Sequence, residues 1–243
     1  MLKKLFLGLM LIGLQVNAAI NIHDSRIDKQ ALLYGAIREG NIELIKLLIK
    51  AGVNVNQEGN GQTPLFLAVE NWNINIVKIL LNAGANANHV CLHNGSILTF
   101  ASKTGCLLIE MYELLINAGV DVNAKDNLGC NSTLRNAVQN NCTDIVKLLI
   151  ATGVDVNAKD YFGNTALYYA VQNNLTDIIK LLISAGANIN ESALYYAVKN
   201  NPTDVAKLLI TASADLNVKE IEILIKLACG RGNFELIELL QSL

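Results

Sequence analysis

The chain has 243 residues, 52% of them apolar but only 5% aromatic, with two prolines and a formal net charge of −2. So small a charge gives no reason to expect nucleic acid or anionic membrane as an electrostatic partner. Scarce aromatics beside heavy use of Leu, Ile, Ala and Asn argue against a sheet-rich enzyme core and for many short amphipathic helices.

Met1-Leu2-Lys3-Lys4 is a short basic start, and Leu5 to Val16 is apolar apart from Gln15. Val16-Asn17-Ala18 then sets small residues at the −3 and −1 positions of a cleavage point. This layout predicts a secretory signal peptide over residues 1–18, cleaved after Ala18, because the run is too short to cross a bilayer comfortably. The alternative is an uncleaved anchor or an irregular first helix. A secreted or periplasmic location is therefore expected, with no membrane insertion after cleavage. Residues 19–29 form a short lead segment.

From residue 30 onward one unit recurs. Its second half reads LIKLLIKAG (Leu44–Gly52), IVKILLNAG (Ile76–Gly84), MYELLINAG (Met111–Gly119), IVKLLIATG (Ile145–Gly153), IIKLLISAG (Ile178–Gly186) and VAKLLITAS (Val205–Ser213), and closes with LIELLQSL (Leu236–Leu243). The first halves start at Ala31, Thr63, Ser96, Ser132, Thr165 and Ser192, with a divergent last copy at Ile223. A fixed period of this size marks a stacked repeat protein, in which each helix pair buries its apolar face only against its neighbours. The expected repeats are 30–57, 58–90, 91–125, 126–159, 160–190, 191–217 and 218–243.

Local signals support helix–turn–helix in each copy. Thr63, Ser96, Ser132, Thr165 and Ser192 are placed to cap first helices, and Pro64 suits a first helical position. First helices should stop at Gly40, Gly105, Asn141, Asn174, Asn201 and Gly232, residue types that accept a left-handed backbone; Trp72 holds the same place against that rule. Second helices open with an acid three residues before a base (Glu43/Lys46, Asp144/Lys147, Asp177/Lys180, Asp204/Lys207), a solvated outer stripe. Extra residues fall around Cys106 to Ile109. The turn before Ser192 is cut short, Ser213 replaces a Gly, and Asn217 to Glu220 lacks a turn motif. The stack should therefore bend or loosen in its fifth and sixth repeats, without a projecting hairpin.

Chemistry-bearing constellations are missing. The five cysteines (Cys91, Cys106, Cys130, Cys142, Cys229) lack the regular spacing of a disulfide scaffold, so thiols are expected, with room for one bridge. No histidine sits beside a Ser or Cys in a catalytic elbow, and there is no phosphate loop. His89, Cys91 and His93 would share one face of an extended segment and form a candidate zinc or copper site, but a fourth ligand is lacking, so no metal and no cofactor is expected. The sequons at Asn94, Asn131, Asn141 and Asn174 arise wherever Asn stops one helix and Ser or Thr starts the next.

The copies resemble the ankyrin repeat family. Asp160-Tyr-Phe-Gly-Asn-Thr165, Ala166-Leu-Tyr-Tyr-Ala170, Ile178-Ile-Lys-Leu-Leu-Ile183 and Gly153-Val-Asp-Val-Asn157 are similar to its D-x-x-G-x-T, P-L-x-x-A, I-V-x-L-L-L and G-A-D-V-N pieces. The resemblance implies an all-α solenoid of stacked helix–turn–helix pairs with short projecting β-hairpins. It implies a monomeric, non-enzymatic scaffold that binds another protein with its hairpin tips and the exposed side of its first helices. On this sequence those positions are Asn60, Asn127, Leu128, Tyr161 and Phe162 at the tips, and Arg38, Glu70, Asn71, Lys103, Gln139, Asn140, Gln172, Asn173, Lys199 and Asn200 on the helices. Tyr161 and Phe162 are expected to anchor the interface, with the alternative that one folds back onto a neighbouring hairpin. Tyr168, Tyr169, Tyr195 and Tyr196 are expected to line a groove or join the core. A signal peptide ahead of such repeats resembles what host-associated bacteria export to act on other proteins. A resident envelope protein and a metal-dependent protein using His89, Cys91 and His93 are the alternatives.

Overall fold

The computed structural model describes residues 28–91, 95–103, 109–126, 132–200, 202–213 and 216–243. The signal segment, Gly105, Cys106, Asn127, Leu128, Cys130 and Asn201 lie outside them. The described residues hold fourteen α-helices and one two-stranded hairpin, an all-α repeat architecture. They fall into two compact units, one ending at Asn86 and the other starting at Ala87.

The first unit contains α1 (Lys29–Glu39), α2 (Ile42–Lys50), α3 (Pro64–Glu70) and α4 (Ile74–Asn82). Each helix starts where a side-chain oxygen accepts an otherwise unpaired amide: Asp28 from Ala31, Asn41 from Leu44, Thr63 from Phe66 and Asn73 from Ile76. Helix α1 stops at Gly40, whose φ is +71°. Trp72 takes the same left-handed geometry after α3, with φ +53°, despite its bulk. The turn between α2 and α3 closes through a bridge between Gly59 and Gln62. The Tyr34 hydroxyl of α1 lies 2.9 Å from the Gln57 carbonyl and 2.6 Å from that of Gln62, pinning this turn to the helix. A Cβ on Gly59 would come within 2.7 Å of the Tyr34 ring, so the close approach needs glycine there. Leu33, Ile37, Ile45, Leu48, Leu65, Phe66, Ile76 and Leu80 form the buried interior.

The second unit begins with strands β1 (Val90–Cys91) and β2 (Gly95–Ser96), paired antiparallel with Val90 opposite Ser96. Helices α5 (Ile97–Lys103), α6 (Ile109–Asn117), α7 (Thr133–Gln139), α8 (Thr143–Ala151), α9 (Ala166–Gln172), α10 (Thr176–Ser184), α11 (Glu191–Asn200), α12 (Thr203–Ala212), α13 (Val218–Gly230) and α14 (Phe234–Gln241) follow. First helices α5, α7, α9, α11 and α13 stack in that order, and second helices pack as α6–α8–α10 and as α12–α14. Second helices α10 and α12 make less contact than their neighbours do, while first helices α9 and α11 pack across the same junction as closely as the other first helices.

A ladder of asparagines ties successive copies together within each unit. In the first, Asn56 Nδ2 donates to the Gly84 carbonyl at 3.0 Å while its Oδ1 accepts the Asn86 amide at 2.7 Å. In the second, Asn88 does the same with Gly119 and Asp121, Asn123 with Gly153 and Asp155, and Asn157 with Gly186 and Asn188. Asn190 departs from the ladder: with no hairpin to follow, its Oδ1 accepts the Ala193 amide and caps α11. Asn123→Ala removes two cross-copy bonds and is expected to cost about 1–2 kcal/mol in a urea titration. An unchanged midpoint would show that the ladder bonds merely replace bonds to water.

Several local expectations need correction. Ser192 does not cap α11, which starts one residue earlier under Asn190. Ser132 makes no capping bond, and its Oγ is buried without a partner. The first helix of the final copy starts at Val218 rather than Ile223, because Asn217 and Glu220 close a reciprocal capping box. Lys207 pairs with Glu235 of the next copy instead of Asp204. Cys142 is disulfide-bonded, not a thiol, whereas Cys91 and Cys229 are thiols. The α5–α7 contact also carries an unforeseen polar seam: Asn136 Nδ2 donates to Ser102 Oγ at 2.9 Å, and the hydroxyls of Thr99 and Thr133 meet at 3.2 Å.

Candidate protein-binding surface

The turn from Asp160 to Asn164 is held from inside. The Asp160 side chain is 3% exposed; its Oδ1 accepts the Phe162 and Asn164 amides, both at 2.9 Å. Its Oδ2 accepts the Tyr169 hydroxyl of α9 and lies 3.5 Å from Arg135 Nη1 of α7. Gly163 closes the turn at φ +80°. The carboxylate thus fixes the tip's backbone without using the side chains of the two residues that follow it. Those residues project outward: Tyr161 is 79% exposed and Phe162 81%, their rings edge to face at 5.8 Å. Neither ring folds back.

Burial raises the Asp160 carboxyl, but the Tyr169 hydroxyl, the Asn164 and Phe162 amides and Arg135 outweigh it and hold the group below the ordinary carboxylate range. Burial, then the bond to Asp160, pushes the Tyr169 hydroxyl up. A depressed carboxyl contributes stability that is complete above its unfolded value near ~4 and is lost as pH falls through the lower folded value. Hydrogen exchange at the Phe162 and Asn164 amides is therefore expected to stay slow, relative to the intrinsic rate, down to about pH 4 and to accelerate below it. Asp160→Asn should abolish that acid transition; a transition that persists in the variant would assign it to another group.

The remaining positions are exposed but lie elsewhere. Asn60 is at the tip of the first unit's turn, in a left-handed conformation with φ +56°. Glu70, Lys103, Gln139 and Gln172 are the last residues of α3, α5, α7 and α9, and Lys199 and Asn200 end α11. Asn71, Asn140 and Asn173 are the C-caps that follow α3, α7 and α9. Arg38 lies in the last turn of α1. Asn127 and Leu128 lie outside the described residues. Because the tips precede the first helices, the Tyr161–Phe162 tip and the Gln172–Asn173 end sit at opposite ends of α9, about 10 Å of helix apart. Asn140 Nδ2 donates to the Ser102 carbonyl and Asn173 Nδ2 to the Tyr169 carbonyl, which fixes both side chains.

The middle of first helices α9 and α11 is aromatic. Tyr168 packs edge to face against Tyr169 at 5.5 Å and against Tyr196 at 6.1 Å, and Tyr195 is 42% exposed. The signal for these was present in the tyrosine pairs that recur in register; Tyr195 is exposed and Tyr168, Tyr169 and Tyr196 are half-buried. Cys91 is buried in β1, and His93 lies outside the described residues; among the described residues no three His, Cys, Asp or Glu side chains are grouped to hold a metal. No described helix is long and apolar enough to cross a membrane.

The family model described as ankyrin repeats (3 copies) matches residues 7–91, 32–126, 98–193 and 134–220. The chain belongs to the ankyrin repeat family. Ankyrin repeats typically mediate protein–protein interaction and are generally non-catalytic scaffolds. No curated protein matches the chain. In these repeats Asn56, Asn88, Asn123 and Asn157, each closing a copy, are the cross-copy ties, a role that the sequence pattern marks by position without revealing the bonds.

Proposed function

We propose that this chain is an exported, non-enzymatic ankyrin scaffold that captures a partner protein with the Tyr161–Phe162 tip and, at the far end of the first helices, the exposed polar ends of α7 and α9. The outward display of two adjacent aromatic rings on a turn fixed by Asp160 carries this reading. Large apolar rings left in water on a rigid frame suit an interface anchor, because little conformational freedom remains to be lost on binding. Export is supported by the basic-then-apolar start of the chain and by the Cys142 disulfide, a bond that persists in oxidising compartments.

Immobilised full chain should capture a defined protein from host or envelope extract, and the chain bearing Tyr161→Ala and Phe162→Ala should not. Equal recovery by both chains would sink the tip assignment. In fractionated cells the processed chain should appear outside the cytoplasm with Cys142 oxidised. An unprocessed, reduced, cytoplasmic chain would overturn export and leave the binding assignment standing.

A further inference from the structure

Beside α11, where the shortened turn removes a hairpin, the second unit opens a groove of about 540 Å³. Tyr168, Tyr195 and Tyr196 supply its aromatic wall, and Ile223 of α13, 43% exposed, adds an apolar edge. Glu191, in the first turn of α11, and Glu220, in the first turn of α13, bring two carboxylates to the same lining. Glu220 is fixed in direction, because its Oε2 accepts the Asn217 amide at 2.8 Å in the capping box. No Lys, Arg or His lines the groove among the described residues. Lys199 already holds its ammonium 5.5 Å from the centre of the Tyr195 ring, so that ring attracts cations in this setting.

We infer that this groove binds an arginine-bearing segment of a partner protein. The charge complement of two unpaired-sign carboxylates beside three electron-rich rings is a cation. A planar guanidinium stacks on tyrosine faces and forks onto a carboxylate, and it gives up its hydration more readily than an ammonium does. The groove's volume is within the range of small-ligand sites and takes an arginine side chain together with an apolar neighbour lying on Ile223. The site goes beyond the tip reading and shares with it only the premise that the chain recognises protein segments.

The test is an NMR titration of isotope-labelled full chain with the blocked peptide acetyl-Leu-Arg-Leu-amide, compared with acetyl-Leu-Gln-Leu-amide. The arginine peptide is expected to shift the resonances of Tyr195, Tyr196 and Ile223 with saturation on the order of 1 mM. The glutamine peptide should bind about tenfold more weakly. Glu191→Gln combined with Glu220→Gln should weaken the arginine peptide about tenfold without moving the unfolding midpoint, because Gln also completes a capping box. Tyr161→Ala with Phe162→Ala should leave this titration unchanged. Equal binding of the two peptides, or no shifts at these residues, overturns the inference. A silent titration with tip-dependent capture intact defeats the groove alone, and the reverse pattern defeats the tip alone.

Discussion

The chain carrying Tyr161→Ala and Phe162→Ala is expected to bind its partner about 100-fold more weakly, while unfolding at the same urea concentration as the unaltered chain. Buried aromatic anchors commonly cost ~2 kcal/mol or more each when truncated, and their losses do not add fully. The folded chain hardly depends on them. Both rings stand in solvent, and the turn beneath them is held by Asp160, which bonds the Phe162 backbone and not its ring. Equilibrium affinity and urea unfolding measured on the same preparation separate the two roles. Affinity loss with an equal loss of stability would mean the rings brace the turn, and unchanged affinity would remove them from the interface.

The second large effect concerns Cys142. Cys142→Ser, or reduction of the unaltered chain, is expected to lower stability by about 2–4 kcal/mol, because a cross-link restricts the unfolded ensemble. The residue is buried at the N-cap of α8, a helix whose Ile145, Val146 and Leu149 are buried too. Alkylation of denatured, unreduced chain should leave Cys142 unlabelled and label Cys229; labelling appears at Cys142 only after reduction. Full labelling of Cys142 in protein recovered from outside the cytoplasm would remove the bond and its share of the case for export.

Much of this architecture was legible in the sequence, and the reasons are particular. Gly40, Asn141, Asn174 and Gly232 mark helix ends because a left-handed stop admits few residue types, and the stops occur there. Thr63 and Thr165 mark starts because a hydroxyl at that place meets an open amide. The same logic misplaced Ser192: a neighbouring Asn190 with an unused side chain offered a better cap once the hairpin was gone. It also overlooked Asn217-Val-Lys-Glu220, a capping box hidden by the search for a turn motif that the last copy lacks. The tip was readable because adjacent aromatics at a turn have few bland explanations. Of the groove only the tyrosines were readable, as in-register pairs; the carboxylates and Ile223 that complete it were not. Its lining joins residues from three helices, α9, α11 and α13, and no periodic pattern within a single copy brings them together.

The end of the asparagine ladder at Asn157 has a mechanical consequence. Within the second unit, copies before that point are coupled by directional bonds as well as by packing, whereas among the described residues no further rung leads on to α11 to α14, and α10 and α12 make less contact than other neighbouring second helices. In a linear array, cooperativity is set by the interfaces between neighbours, so the weakest interface decides where the chain first divides. Under tension or mild denaturant, the segment from Glu191 onward is the part expected to peel away as one block. The second unit would then carry a built-in release point, and a partner seated across that junction would act as its latch.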